Sequence, residues 1–252
     1  MNSKKIKFPG SQNGELSARI DEPDEGASKG TVLFAHCFTC GKNLRSINHI
    51  CRALTEHGMG VFRFDFTGLG ESEGDFSETD FSSNVEDLVA AASYMKDEWR
   101  APDLLIGHSL GGAAVLQAAN LIDTVEAVAT IAAPANPGHV KHLLEDKIEE
   151  IKQRGVARIR LAGRTFTIKE QFLNDLKAQN MDSIIRNLDK ALLIFHSPID
   201  ETVGISNAAH IYKAARHPKS FISLDEADHL LTNEEDAKYV GSVAAAWVDR
   251  YL

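Results

Sequence analysis

The chain alternates two kinds of apolar pattern. Residues 31–35 (Thr-Val-Leu-Phe-Ala), 61–66 (Val-Phe-Arg-Phe-Asp-Phe), 103–106 (Asp-Leu-Leu-Ile), 125–132 and 191–195 are short and almost continuously apolar. Such runs read as strands buried on both faces. Between them the period lengthens. Leu44, Ile47, Ile50, Cys51 and Leu54 share one helical face, which predicts a helix over 44–57 ended by Gly58. Further helices are predicted over 84–99, with Ser82 or Ser83 as N-cap, and over 113–119, 205–215 and 234–251. Residues 4–8 and 15–20 are short strand candidates around the turn signal Ser11-Gln-Asn-Gly14, and 220–224 is a late strand. Residues 67–74 form a glycine-rich loop after the strand 61–66.

Strands that alternate with helices and lack polar alternation imply a mostly parallel, doubly wound α/β sheet. The rhythm breaks at about 135–190. There the pattern predicts an amphipathic helix over 137–153, a hairpin over 156–168 with Ile159, Leu161, Phe166 and Ile168, and a helix over 169–188. We expect one domain over 1–252, with this stretch as a cap insertion above the carboxyl ends of the strands, where open α/β sheets bind ligands.

Composition narrows the classes. The chain has 252 residues, is 43% hydrophobic and carries a formal charge of −9, with its basic residues scattered. Nucleic acid and anionic membranes are therefore not expected partners. No apolar run approaches the ~20 residues of a membrane span, and the basic N-terminus lacks the apolar core of a signal peptide. Three cysteines, an odd number, argue against a disulfide framework and suggest a reducing cytoplasm.

The candidate chemistry centres on Gly107-His108-Ser109-Leu110-Gly111-Gly112, between the strand 103–106 and the helix 113–119. A G-x-S-x-G at a strand–turn–helix is a nucleophile elbow, whose glycines let strand and helix meet around an exposed serine hydroxyl. The hydroxyl needs a base, and the base needs an orienting acid, in chain order serine, acid, histidine. Asp200 follows the strand 191–195 and fits the acid, with Glu201 its nearest rival. His229 follows the last strand and fits the base; among ten histidines it alone has that order and place. His36 and His196 end strands near the site, and His108 is expected to point away from it. Asp225 and Asp228 are weaker candidates for the acid. The oxyanion donors are expected to be the backbone N–H groups of Leu110 and of Phe38, chosen over Cys37. Cys37 and Cys40 make a C-x-x-C, for which a dithiol role is a minor reading and zinc a lesser one. His139, His142 and Glu145 have metal-ligand spacing but read as a solvated helix face. No metal or cofactor is required.

These residues resemble the α/β-hydrolase superfamily. His36-Cys-Phe-Thr39 and Arg63-Phe-Asp-Phe-Thr-Gly-Leu-Gly-Glu-Ser72 resemble feruloyl/cinnamoyl-type carboxylesterases, although Cys37 stands where those have glycine and Leu110 where they often have glutamine. Residues 34–40, 84–91 and 217–221 resemble the hydrolase half of bacterial α/β hydrolase–OsmC fusion proteins. That resemblance implies an OsmC-like partner domain or protein, and a chain that is either stand-alone or part of a longer one. The resulting expectation is a cytoplasmic serine esterase acting on short acyl or aryl esters. The alternatives are a thioesterase or acyltransferase with the same triad, or a non-catalytic module binding an OsmC-like partner. A homo-oligomer is left open.

Overall fold

The computed structural model describes residues 1–12, 14–161 and 163–252; Asn13 of the expected turn and Ala162 of the expected hairpin lie outside the described residues. The chain opens with an antiparallel pair, β1 (Asn2–Pro9) and β2 (Glu15–Glu22). There follow β3 (Gly30–Ala35), α1 (Arg45–Glu56), β4 (Met59–Phe64), a short 3-10 turn at Phe76–Glu78, α2 (Phe81–Glu98), β5 (Leu104–His108), α3 (Leu110–Ala118) and β6 (Ala127–Ile131). An interruption then precedes the last strands. The interruption holds a 3-10 segment (Pro137–Lys147), α4 (Ile148–Arg154), the hairpin β7 (Val156–Leu161) and β8 (Arg164–Lys169), α5 (Glu170–Ala178) and α6 (Met181–Arg186). The chain ends with β9 (Ala191–His196), α7 (Ser206–Ala214), β10 (Lys219–Ser223) and α8 (Glu234–Val248).

The main sheet has eight strands in the order β1-β2-β4-β3-β5-β6-β9-β10. All pairs from β4 to β10 are parallel, and β2 joins β4 antiparallel. Buried strand residues alternate in destination rather than in polarity. Leu33, Leu105, Val128 and Leu192 face the layer containing α2 and α3, while Val32, Leu104, Ala127 and Leu193 face the layer containing α1 and α8. With both faces covered, no strand position in the centre needs to be polar, which produces the continuous apolar runs.

Three local expectations are corrected. The N-cap of α2 is Asp80; its carboxylate accepts from the Ser83 N–H at 2.8 Å, and the Ser83 hydroxyl accepts the Asp80 N–H in return. Neither Ser82 nor Ser83 is the cap: both lie inside the helix, and Ser83 is the N3 half of the capping box. The predicted helix over 137–153 is mostly 3-10, and starts with Asn136 capping Gly138 N–H and with Pro137. The predicted helix over 169–188 is two helices, interrupted where Asn180 caps α6. In each case a local side-chain cap competes with helical periodicity.

The inserted segment packs onto the loops that follow β3 and β4. Phe172 of α5 stacks on Phe38 at 5.3 Å between ring centroids; Phe38 lies 5.6 Å from Phe76, and Phe76 lies 5.1 Å from Phe166 of β8. Ser82 at the start of α2 donates its hydroxyl to the Asp175 carboxylate at 2.6 Å.

Candidate active site

The elbow depends on backbone geometry that only glycine permits beside it. Ser109 sits at φ +56°, ψ −125°, a region costly for a residue with a side chain. A Cβ at Gly107 would lie 2.3 Å from the Gly111 carbonyl oxygen, and one at Gly111 would lie 2.4 Å from that of His36. The turn therefore closes only with glycine at both positions, and it presses the end of β3 against the start of α3. The Ser109 N–H is occupied by the Ile131 carbonyl at 2.8 Å, so β6 pins the serine's backbone.

Loops from three strands converge on this serine. The Ser109 hydroxyl is 3.0 Å from His229 Nε2, and His229 Nδ1–H donates to Asp200 Oδ2 at 2.8 Å. The other Asp200 oxygen accepts the Thr202 and Val203 N–H groups, each at 2.9 Å. Burial alone would raise the Asp200 pKa, but the His229 and backbone hydrogen bonds outweigh it and hold the carboxyl below its ordinary value. Glu201, the rival acid, is exposed on the rim of a cleft of about 460 Å3 that also includes Ile199, Thr202, His229 and Leu230. Asp228 turns its carboxylate back on its own loop, accepting the Leu230 and Thr232 N–H groups at 3.0 Å each. Asp225 is exposed at positive φ.

His108 differs from expectation. Its ring does not turn away from the site; its Nε2–H donates to the His229 backbone carbonyl at 2.7 Å, with the two rings 5.3 Å apart. Burial drives its pKa down to about 4, so the imidazole is neutral and a donor at Nε2 near neutral pH. His196 plays a parallel part under Asp200. Its Nε2–H donates to the Val203 carbonyl at 2.6 Å, and burial lowers its pKa. A histidine just before Ser109 and one at the end of the strand before Asp200 were visible in the sequence. Their targets were backbone carbonyls of distant loops, which leave no mark in it.

The loop after β3 is tied at both ends. His36 Nδ1–H donates to the Cys37 carbonyl at 2.7 Å, and its Nε2 accepts the Phe66 N–H at 3.4 Å. Lys42, fully buried, donates its ammonium to Asp65 at 2.5 Å and to Glu71 at 2.8 Å. Hydrogen bonds from Lys42 and then Lys5 pull the Glu71 pKa down to about 2. Between these ties Cys37 and Cys40 are joined by a disulfide. The expectation of a chain without disulfides is thus corrected. A turn donating Cys40 N–H to the Cys37 carbonyl at 3.2 Å brings the two Cα atoms within 5.3 Å, which an odd cysteine count does not reveal. Cys51 is the free, buried cysteine, its thiol pushed up to about 12 by burial. Phe38, inside the cross-linked loop, and Leu110, the first residue of α3, line one small cavity of about 10 Å3 with His36 and Leu69.

His139 donates its Nε2–H to the Thr202 carbonyl at 2.8 Å, so that ring nitrogen is committed to the protein. No helix among the described residues is long and apolar enough to cross a membrane.

Comparison with known proteins agrees with this architecture. The family described as serine aminopeptidase, S33 matches residues 26–187. The esterase domain of a Rhodothermus marinus protein is 47% identical and superposes with a TM-score of 0.81, covering 100% of this chain and 99% of that one. Est1E from Butyrivibrio proteoclasticus, with ferulic acid bound, shares the fold at a TM-score of 0.79 and 19% identity, covering 96% of this chain and 98% of that one. Uncharacterized protein YfhR of Salmonella typhimurium is 23% identical over 177 residues, 70% of this chain and 57% of its own length, so the chain spans little more than half of that relative. With its elbow, its sheet order and a family match over most of its length, the chain belongs to the serine aminopeptidase S33 family of α/β hydrolases.

Proposed function

We propose that the protein hydrolyses carboxylic esters through Ser109, His229 and Asp200. The observation that carries this reading is the continuous hydrogen-bond chain from the Ser109 hydroxyl through His229 to a buried Asp200, at 3.0 and 2.8 Å. In this reading His229 Nε2 removes the hydroxyl proton as Ser109 Oγ attacks the acyl carbonyl. The Phe38 and Leu110 N–H groups receive the oxyanion. Collapse of the tetrahedral adduct breaks the bond to the alkoxy oxygen, and His229 returns the proton so that the alcohol leaves neutral. A water then gives its proton to His229 and attacks the acyl-serine. The acid is released, and the proton goes back to Ser109. Asp200 keeps the tautomer with Nδ1–H and stabilises the imidazolium.

The proposed substrates are short acyl or aryl esters. The Phe38, Phe76, Phe166 and Phe172 cluster beside the loop after β3 favours aromatic groups. The test is a series of p-nitrophenyl esters of increasing chain length beside aminoacyl p-nitroanilides, with Ser109→Ala in parallel. Short esters should be turned over best, and Ser109→Ala should lose at least ~10^3-fold in kcat. Equal activity in the variant defeats the mechanism; a preference for anilides or long chains defeats the substrate class.

A further inference from the structure

A broad apolar groove lies away from the catalytic residues. It measures about 720 Å3 and runs between α7 and β10, walled by Ile205, Ala209, Tyr212 and Phe221. Tyr212 is 37% exposed and Phe221 40%. The groove borders an uncovered sheet edge, because among the described residues β10 pairs only with β9. Unpaired edges with apolar neighbours are templates for another strand.

The backbone of that edge has a definite parity. The Pro218 carbonyl accepts the Leu192 N–H, and the Leu224 N–H donates to the His196 carbonyl. Backbone groups alternate sides along a strand, so Pro218, Ser220, Ile222 and Leu224 face β9. Lys219, Phe221 and Ser223 therefore direct their N–H and C=O groups outward. In an antiparallel pair, opposed residues that both face the partner exchange two hydrogen bonds. A two-fold axis at Phe221 would oppose Phe221 to itself and Lys219 to Ser223, so all three outward residues would find partners.

The charges flanking β10 obey the same symmetry. Exposed Arg216 and His217 precede the strand, and exposed Asp225 and Glu226 follow it. Among the described residues, none of these four side chains joins an intramolecular ion pair. An antiparallel pairing lays the basic flank of one copy along the acidic flank of the other; a parallel pairing would oppose like charges.

From the groove, the edge parity and the flanking charges, we propose that β10 is a self-association edge, joining two copies of this chain antiparallel about a two-fold axis at Phe221. The sheet continues from one copy into the other, and the Phe221 and Tyr212 side chains of both copies close over the two grooves. The interface is isologous, so it closes at two copies and does not propagate. Its occupant is a second copy because the strand is complementary to itself in hydrogen bonding and in charge.

Sedimentation velocity on the full chain tests this, over concentrations up to ~100 µM, where even a weak dimer is populated. The wild type should sediment at twice the chain's mass. Phe221→Asp puts two carboxylates face to face at the axis and should give a monomer, with its circular dichroism and its turnover of p-nitrophenyl acetate unchanged. Arg216→Glu should weaken the dimer about tenfold by opposing like charges, and Arg216→Glu/Glu226→Arg should restore it. A monomeric wild type, which would leave the groove to a different partner, overturns the proposal. So does a dimer indifferent to Phe221→Asp, or a charge swap that fails to rescue. None of these outcomes bears on the esterase reading, since Phe221, Arg216 and Glu226 take no part in it.

Discussion

His108 bridges two chain segments 121 residues apart with one hydrogen bond to the carbonyl of His229. It thereby fixes the backbone from which the His229 ring projects toward Ser109. His108→Ala should lower kcat about tenfold or more while leaving KM for p-nitrophenyl acetate close to wild type, because the loss falls on the orientation of the base. His108→Gln supplies an N–H at a similar reach and should recover most of it. Equal losses in both variants would reduce His108 to a packing residue. The same buried imidazole has a consequence for acid stability. Its pKa falls from 6.5 to about 4 on folding, so between those values the unfolded chain binds a proton that the native chain refuses. The stabilisation is complete above pH 6.5 and fades as pH falls toward 4, by on the order of 3 kcal/mol from this one group. His36 and His196 are shifted in the same direction by burial and add to the loss. Urea unfolding at pH 7.5 and pH 4.5 should therefore show a smaller drop for His108→Gln than for the wild type; an equal drop would mean that His108 is protonated in the native state. The sequence pointed to Ser109, Asp200 and His229 by order and position alone, and the fold brings these three side chains within hydrogen-bond reach. It could not assign His108, whose partner is a main-chain atom.

At the scale of elements, the loop between β3 and α1 is constrained more tightly than its composition suggests. The disulfide encloses Phe38, and the buried Lys42 ammonium, bound to Asp65 and Glu71, anchors the following residues. Opening the cross-link enlarges the loop's conformational freedom without deleting a donor. Cys40→Ser, or treatment of the wild type with dithiothreitol, should lower kcat by up to ~10-fold, less than the ~10^2 typical of a lost oxyanion donor. The variant should not respond further to the reductant. An unchanged kcat in both would show that His36 and Lys42 suffice to hold the loop. Here the sequence was legible only in part. C-x-x-C was visible, but whether two such cysteines pair depends on a turn geometry set by the packing of His36 and Lys42 beneath it. The same limit applies to the helix over 137–153. Its apolar spacing was helical, yet Asn136 and Pro137 start a tighter 3-10 path that periodicity does not distinguish.

Across the whole molecule, the inserted segment and the loops after β3 and β4 form one aromatic layer. Phe172 comes from the insertion, Phe38 from the loop after β3, and Phe76 from the loop after β4. Removing the Phe172 ring should therefore act on binding more than on chemistry. Phe172→Ala is expected to raise KM for aryl esters several-fold, with a smaller change for acetate esters and little change in kcat. A uniform fall in kcat would place the ring's effect on the oxyanion loop instead. At this scale the sequence by itself determined the α/β architecture, because only strands covered on both faces can be continuously apolar. It also determined the tight turn at Ser109, because only glycine at 107 and 111 lets strand and helix approach so closely. The tertiary structure alone decided which buried imidazole serves which carbonyl, that the two cysteines are bonded, and that the insertion meets the loop after β3 through Phe172. These are contacts between segments far apart in the chain. Their energies arise from packing and hydrogen-bond geometry, which no local pattern of residues encodes.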